Sequence, residues 1–192
     1  SNLWVNLFIM VLCAPVAEEL IFRKLLIDRL VQYGEGVAVL FSGLMFGLFH
    51  GNLNQFVYAF VLGLCFGFIY VKTGNIRYTI GLHMLVNFLG SVLGVAILKW
   101  LGDDFLSVAS DPAGMMSYMT GNFGKLIVYF IYIFLLLGVA IAGIILFIVN
   151  LKKIRFQPGM NTIPKGKRFS TTVLNVGMAL YMIVWIVIII VQ

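Results

Sequence analysis

Six polar residues sit in segments that are otherwise apolar: Glu18, Glu19, Arg23, His50, His83 and Asn87. The first three belong to the string EELIFR, His50 closes FGLFH, and His83 and Asn87 bracket HMLVN. The chain has two histidines, and both are in this set. An ionisable side chain inside a membrane helix costs at least about 2.5–3.5 kcal/mol on insertion scales, so each needs a partner or a purpose. Glu19 and Arg23 are four apart, on one helical face, and can neutralise each other as an ion pair. Glu18 is rotated by about 100° from Glu19 and is left to act on water. Phe46 shares a face with His50, as His83 does with Asn87. The second pair can present an imidazole and an amide to one oxygen atom. Asn54 repeats that four-residue spacing after His50, although with Asn52 it reads first as a helix-break residue.

A carboxylate beside an imidazole can deprotonate water and later return the proton to a leaving amine. A second imidazole with a side-chain amide can stabilise the oxyanion of a tetrahedral intermediate. Glu18 with His50, and His83 with Asn87, would thus complete an amide-hydrolysis site. The same residues permit zinc chemistry, with Glu18, His50 and His83 as a two-histidine, one-carboxylate ligand set. The sequence leaves both open. Three other protease chemistries are excluded. There is no HExxH and no GxSG serine motif, and Gly102-Asp103 follows Trp100-Leu101 rather than a GxGD pattern.

The elements that position these residues follow from composition. The chain is 62% hydrophobic and 10% charged, with mean hydropathy +1.07, against roughly 25% charged in soluble domains. That excludes a water-soluble domain and dictates an all-α, polytopic transmembrane bundle in the lipid bilayer. Its 192 residues leave room for about six spans of roughly 20 residues. The apolar runs are 3–22, 37–49, 53–71, 76–101, 126–151 and 172–191. Segment 3–22 lacks the basic start and small-residue cleavage site of a signal peptide. Position 1 is not Met, so the chain reads as processed or trimmed, with Ser1-Asn2 as a cloning scar. Pro15 should bend the first span just before the glutamates. Residues 23–33 continue that helix out of the membrane or along its surface, and Gly34-Glu35-Gly36 makes a turn. Cys13 and Cys65 read as ordinary buried thiols, without CxxC spacing. Gly43, Gly47, Gly63 and Gly67 should allow close helix packing. No internal repeat is evident.

About that turn, Glu18 and His50 come level across an antiparallel helix pair. His83, six residues past Arg77, should lie about 9 Å into the bilayer from the cytoplasmic side. A straight span over 37–49 would carry His50 to the far face, so Gly51-Asn52-Leu53-Asn54 should break the helix part-way, lining a protein cavity. The loop at 152–170 holds Lys152, Lys153, Arg155, Lys165, Lys167 and Arg168, which the positive-inside rule puts in the cytoplasm. The loop at 102–124, with Asp103, Asp104 and Asp111, is then outside. Eleven of thirteen Lys and Arg residues fall on the cytoplasmic side, with Lys99 and Lys125 opposed. This topogenic pattern accounts for the net charge of +6 and leaves no basic water-facing patch for nucleic acid.

The ordered set Glu18-Glu19-x-x-x-Arg23, Phe46-x-x-x-His50 and His83-x-x-x-Asn87 resembles the CAAX protease and bacteriocin-processing family (CPBP or Abi). That family includes the eukaryotic Ras-converting CAAX prenyl endopeptidase. The run from Phe66 to Asn87 also resembles the family's approach to its last motif, and the similarity covers about residues 12–90. The resemblance implies an intramembrane endopeptidase in which Glu18 and His50 activate water and His83 and Asn87 form the oxyanion hole. Glu19, Arg23, Phe46 and Asn54 would support them. It implies a helical bundle with a cavity open toward the cytoplasm, and relatives usually carry further helices before the first motif. The chain then reads as one transmembrane domain over 1–192, with the catalytic core in 1–100 and additional spans in 101–192. Members are often described as metalloproteases; the metal-independent glutamate mechanism is the favoured reading. The partner would be a membrane-delivered peptide or a lipidated C-terminus, and short loops favour a bacterial cytoplasmic membrane. Oligomeric state is not legible. Rival readings are a bacteriocin-immunity or scaffold protein that binds without cutting, and a proton-coupled transporter.

Overall fold

The structure is a computed structural model that describes residues 3–161, 163–167, 170–171 and 174–191. Ser1, Asn2 and Arg168 lie outside the described residues. The fold is a helical membrane bundle. Residues 3–33 wind helically as α1, and α2 (Glu35–Phe49), α3 (Leu53–Thr73), α4 (Ile76–Leu101), α5 (Asp103–Val108), α6 (Pro112–Asn150) and α7 (Val176–Val191) follow. The helices α3, α4 and α6 are long and apolar enough to cross a membrane, and α2 and α7 are shorter apolar helices. Apolar side chains project from α6 with little cover, Phe134 and Val149 being nearly 70% exposed, as expected of a helix solvated by lipid.

Two compact units are present: the described residues of Ser1–Leu12 with Leu85–Arg155, and Cys13–Met84 with Phe156–Gln192. In the first, Leu101, Phe105 and Leu126 form a small core ringed by Ile97, Met115, Tyr118 and Tyr129. The Tyr118 hydroxyl donates to the Leu101 carbonyl, and that of Tyr132 to the Leu89 carbonyl at 2.8 Å. The expected acidic loop at 102–124 is largely helical. Asp111 caps α6, its carboxylate accepting from the Ala113 and Gly114 amides, and Pro112 occupies the first helical position, where its missing N–H costs nothing. The helix then runs 39 residues with non-helical backbone at Asn122.

The second unit holds the polar residues. α1 changes winding twice around Glu18 and Glu19: wide π turns over Leu7–Cys13 give way to Ala14–Glu19, and wide turns resume over Leu20–Ile27. The expected disturbance at Pro15 is this first change, with the buried Pro15 near the start of the tighter segment. The helix continues through 23–33 as expected, with Arg23 turned inward rather than along a membrane surface. Arg23 is fully buried, with Phe22 and Ile27 beside it, because its charge finds partners inside. The α1–α2 turn reduces to Gly34 (φ 113°), since Glu35 and Gly36 already belong to α2.

α2 and α3 form the tightest pair. A Cβ on Gly63 would stand 2.8 Å from the Gly43 Cα, and one on Gly47 would stand 3.1 Å from the Phe56 carbonyl oxygen. Backbones that close need small residues on both sides. α2 has 15 residues, about 22 Å, against a hydrocarbon core of about 30 Å. It stops at His50. Gly51 turns with φ 71°, and Asn52 caps α3 by accepting from the Gln55 amide at 2.8 Å. α7 covers this turn, with Ile188 and Trp185 near Gly51 and the Trp185 ring 5.1 Å from that of Phe49. The segment 156–161 lies as a strap on the Gly34 turn. The Glu35 amide donates to the Gln157 carbonyl, the Gln157 amide to the Glu35 carboxylate, and the Asn161 amide to the Gln32 carbonyl. Lys72 pairs with the same Glu35 carboxylate. Cys13 and Cys65 are free but exposed, which corrects the expectation of buried thiols: an apolar neighbourhood in a membrane chain need not be protein.

Candidate active site

Glu19 and Arg23, one helical turn apart on α1, are both completely buried, and Arg23 Nε lies 3.0 Å from Glu19 Oε2. The spacing foretold this pair. It did not foretell the second helix. His83, on α4 and 4% exposed, brings Nδ1 to 3.1 Å from Glu19 Oε1 and Nε2 to 3.8 Å from Glu18 Oε2. Both glutamates therefore address one imidazole, one at each nitrogen. Glu19 is sealed, whereas the Glu18 side chain keeps 17% of its surface open. An ionised Glu19 can only accept, so a hydrogen bond to it puts a proton on His83 Nδ1 and leaves Nε2 toward Glu18.

Aromatic rings hold this array. Phe46 of α2 has the His50 ring at 4.9 Å on one side and the His83 ring at 5.5 Å on another, both edge-on. The Arg23 guanidinium lies 4.8 Å from the Phe46 centroid and 5.7 Å from that of Phe66. Phe66 of α3 also flanks His83, at 5.5 Å. Two rings thus line both the cation and the imidazole, a dry wall that strengthens the charge interactions behind it. His50 is half-buried at the end of α2, its Nδ1 donating to the Phe46 carbonyl at 2.9 Å. Both histidines direct Nδ1 at protein acceptors.

Two contributors escaped the sequence reading. Ser42, fully buried on α2, accepts from Arg23 Nη1 at 2.8 Å and donates to the Phe22 carbonyl at 2.9 Å. A lone serine in an apolar helix carries no signal, because its partner is 19 residues away on another helix. Phe66 escaped for the same reason. Asn87 belongs to the other unit, where its Nδ2 donates to the Met10 carbonyl at 2.7 Å. Asn54 lies exposed in the first turn of α3, where Asn52 does the capping. Among the described residues no group of three or more His, Cys, Asp or Glu could hold a metal ion.

Comparison with known proteins points the same way as the array. Residues 1–89 match the family described as type II CAAX prenyl endopeptidase Rce1-like. The resemblance is to membrane peptidases. A Bacillus subtilis protein, YdiL, whose name marks it as a candidate membrane peptidase, is 33% identical over 74 residues, covering 38% of this chain and 30% of that one. The membrane-embedded CAAX protease MroQ of Staphylococcus aureus is 27% identical over 120 residues, covering 59% of this chain and 47% of that protein. The chain spans less than half the length of these curated relatives. No solved structure matches it. All of the residues from Glu18 to Asn87 fall inside the Rce1-like match, and the segment beyond residue 89 lies outside it.

Proposed function

We propose that this chain is the site-bearing part of an intramembrane endopeptidase that hydrolyses a peptide bond in a membrane-delivered peptide or lipidated C-terminus. The observation that carries the reading is the pairing of His83 with two glutamates of opposite exposure. Glu18, the open one, takes a proton from the attacking water, with His50 Nε2 as its neighbour in that task, and later returns it to the leaving amine. Glu19, the sealed one, fixes the ring of His83. A neutral His83 would offer only a lone pair at Nε2, so a role in holding the oxyanion requires the imidazolium, the form that can donate from both ring nitrogens. A second oxyanion donor, Asn87, is supplied by the resemblance alone. No metal enters this scheme. The chain would sit in a bacterial cytoplasmic membrane with 152–170 on the cytoplasmic side, in keeping with the charge distribution.

The test is cleavage of a quenched fluorescent peptide library by detergent-purified protein, comparing the unaltered chain with Glu18→Gln and His83→Ala, with and without a zinc chelator. Loss in both variants and persistence with chelator is the expected result. Loss with chelator and recovery with zinc would replace the scheme by one in which the histidines bind metal. Unchanged cleavage in Glu18→Gln would end the reading.

A further inference from the structure

The chain of contacts that reaches Glu18 starts at Ser42. Arg23 is completely buried, yet its Nη2 has no hydrogen-bond partner and its Nε, though close to Glu19, is not aimed along a hydrogen bond. Among the described residues, the directional bond that fixes the guanidinium is Nη1 to Ser42 Oγ. The serine is prepared for this. A hydroxyl has one proton and two lone pairs, and here the proton is committed to the Phe22 carbonyl. Its oxygen is therefore held as an acceptor facing Arg23. Downstream, Arg23 occupies Glu19 Oε2, which leaves Oε1 for His83 Nδ1 at 3.1 Å.

We propose that Ser42 is a positioning residue for this site: its hydroxyl orients Arg23, through it Glu19, and through Glu19 the ring of His83. The consequence for catalysis rests on the peptidase reading, whereas the coupling of Ser42 to His83 does not. The rings of Phe46 and Phe66 attract the guanidinium but offer it no directional hydrogen-bond acceptor, which leaves it freedom to turn. The hydroxyl removes that freedom. Substituting Ser42 should disturb His83, which it does not touch, and spare His50, whose Nδ1 is tied within its own helix.

The experiment uses the full chain labelled with [15N]histidine in detergent micelles. With two histidines present, the spectrum holds two rings, and His50→Gln assigns them. Ser42→Ala should shift the ring nitrogen signals of His83 and leave those of His50 in place, and Ser42→Thr, which keeps the hydroxyl, should restore them. In the peptide assay, Ser42→Ala should lower kcat about 10- to 100-fold, the factor for one lost hydrogen bond to a charged group. KM should be unchanged, and Ser42→Thr should recover activity. Should Ser42→Ala fail to fold, Ser42→Cys keeps the size with a far weaker acceptor and takes its place. His83 signals that move in a protein cutting no peptide would support the coupling while ending the peptidase reading. Unmoved His83 signals in a folded variant, or a Ser42→Thr no better than Ser42→Ala, would overturn the proposal.

Discussion

Glu19 and Arg23 are the two ends of a charge pair with no exposure at all, and separating them tests the buried array without needing a substrate. Removing one partner strands the other's charge in a place that water does not reach. Opposite charges 3.0 Å apart attract by about 5 kcal/mol at an effective dielectric near 20, close to the ~3–5 kcal/mol seen when one half of a buried pair is removed. Arg23→Gln and Glu19→Gln should each lose about that much stability in reversible unfolding from mixed micelles. The double variant replaces two charges by two amides and strands neither, so its loss should fall short of the sum by at least about 2 kcal/mol. In the Glu19→Gln variants the new side-chain amide still offers a carbonyl oxygen to His83, which should remain in place. Additive losses within about 0.5 kcal/mol would show that the charges do not depend on each other, and the description of the array as one coupled unit would be wrong.

Two further outcomes follow from packing. Gly63→Val places a branched side chain where even a Cβ would stand 2.8 Å from the Gly43 backbone and 3.2 Å from Phe46. It should cost about 1–3 kcal/mol in the same unfolding assay and impair cleavage by displacing Phe46, whereas Gly81→Ala, with open space around it, should do neither. A Cβ on Gly159 would lie 2.2 Å from the Gln32 carbonyl oxygen, so Gly159→Leu should lift the strap from the Gly34 turn. Limited proteolysis should then nick 156–161 roughly tenfold faster or more, the factor for losing one or two hydrogen bonds; equal rates would mean that the strap does not hold there.

The polar residues were legible because each breaks the composition of its segment, and Glu19 with Arg23 because a four-residue spacing on one helix needs no tertiary knowledge. Which histidine meets which glutamate was not. Glu18 and His83 are far apart in the chain, and their approach depends on how α1 and α4 pack. Spacing pairs Glu18 with His50 and His83 with Asn87; the structure adds His83 Nε2 at 3.8 Å from Glu18 Oε2. The stop at His50 was foreseen from Gly51 and Asn52, and the small-residue faces of α2 and α3 from their glycines. The helix after Asp111 was missed although Asp-Pro is a strong start signal, because acidic and glycine content suggested a loop. The spacing gave Arg23 its partner Glu19 but not its depth. Its burial depends on Ser42 and two aromatic rings that no local pattern connects to it.

The strap that ties residues 156–161 to Gln32, Gly34 and Glu35 also sets an order of events during synthesis. Everything in the buried array, from Glu18 to His83, has been made before the strap leaves the ribosome, and chains fold from the N-terminal side as they emerge. The charge pair, Ser42 and the two aromatic rings can therefore meet while the Gly34 turn is still uncovered. The strap and α7, which covers the turn beside His50, arrive after them. Polar residues that are costly in lipid can thus be neutralised by partners within residues 18–83, and closure of the unit waits for the strap and α7.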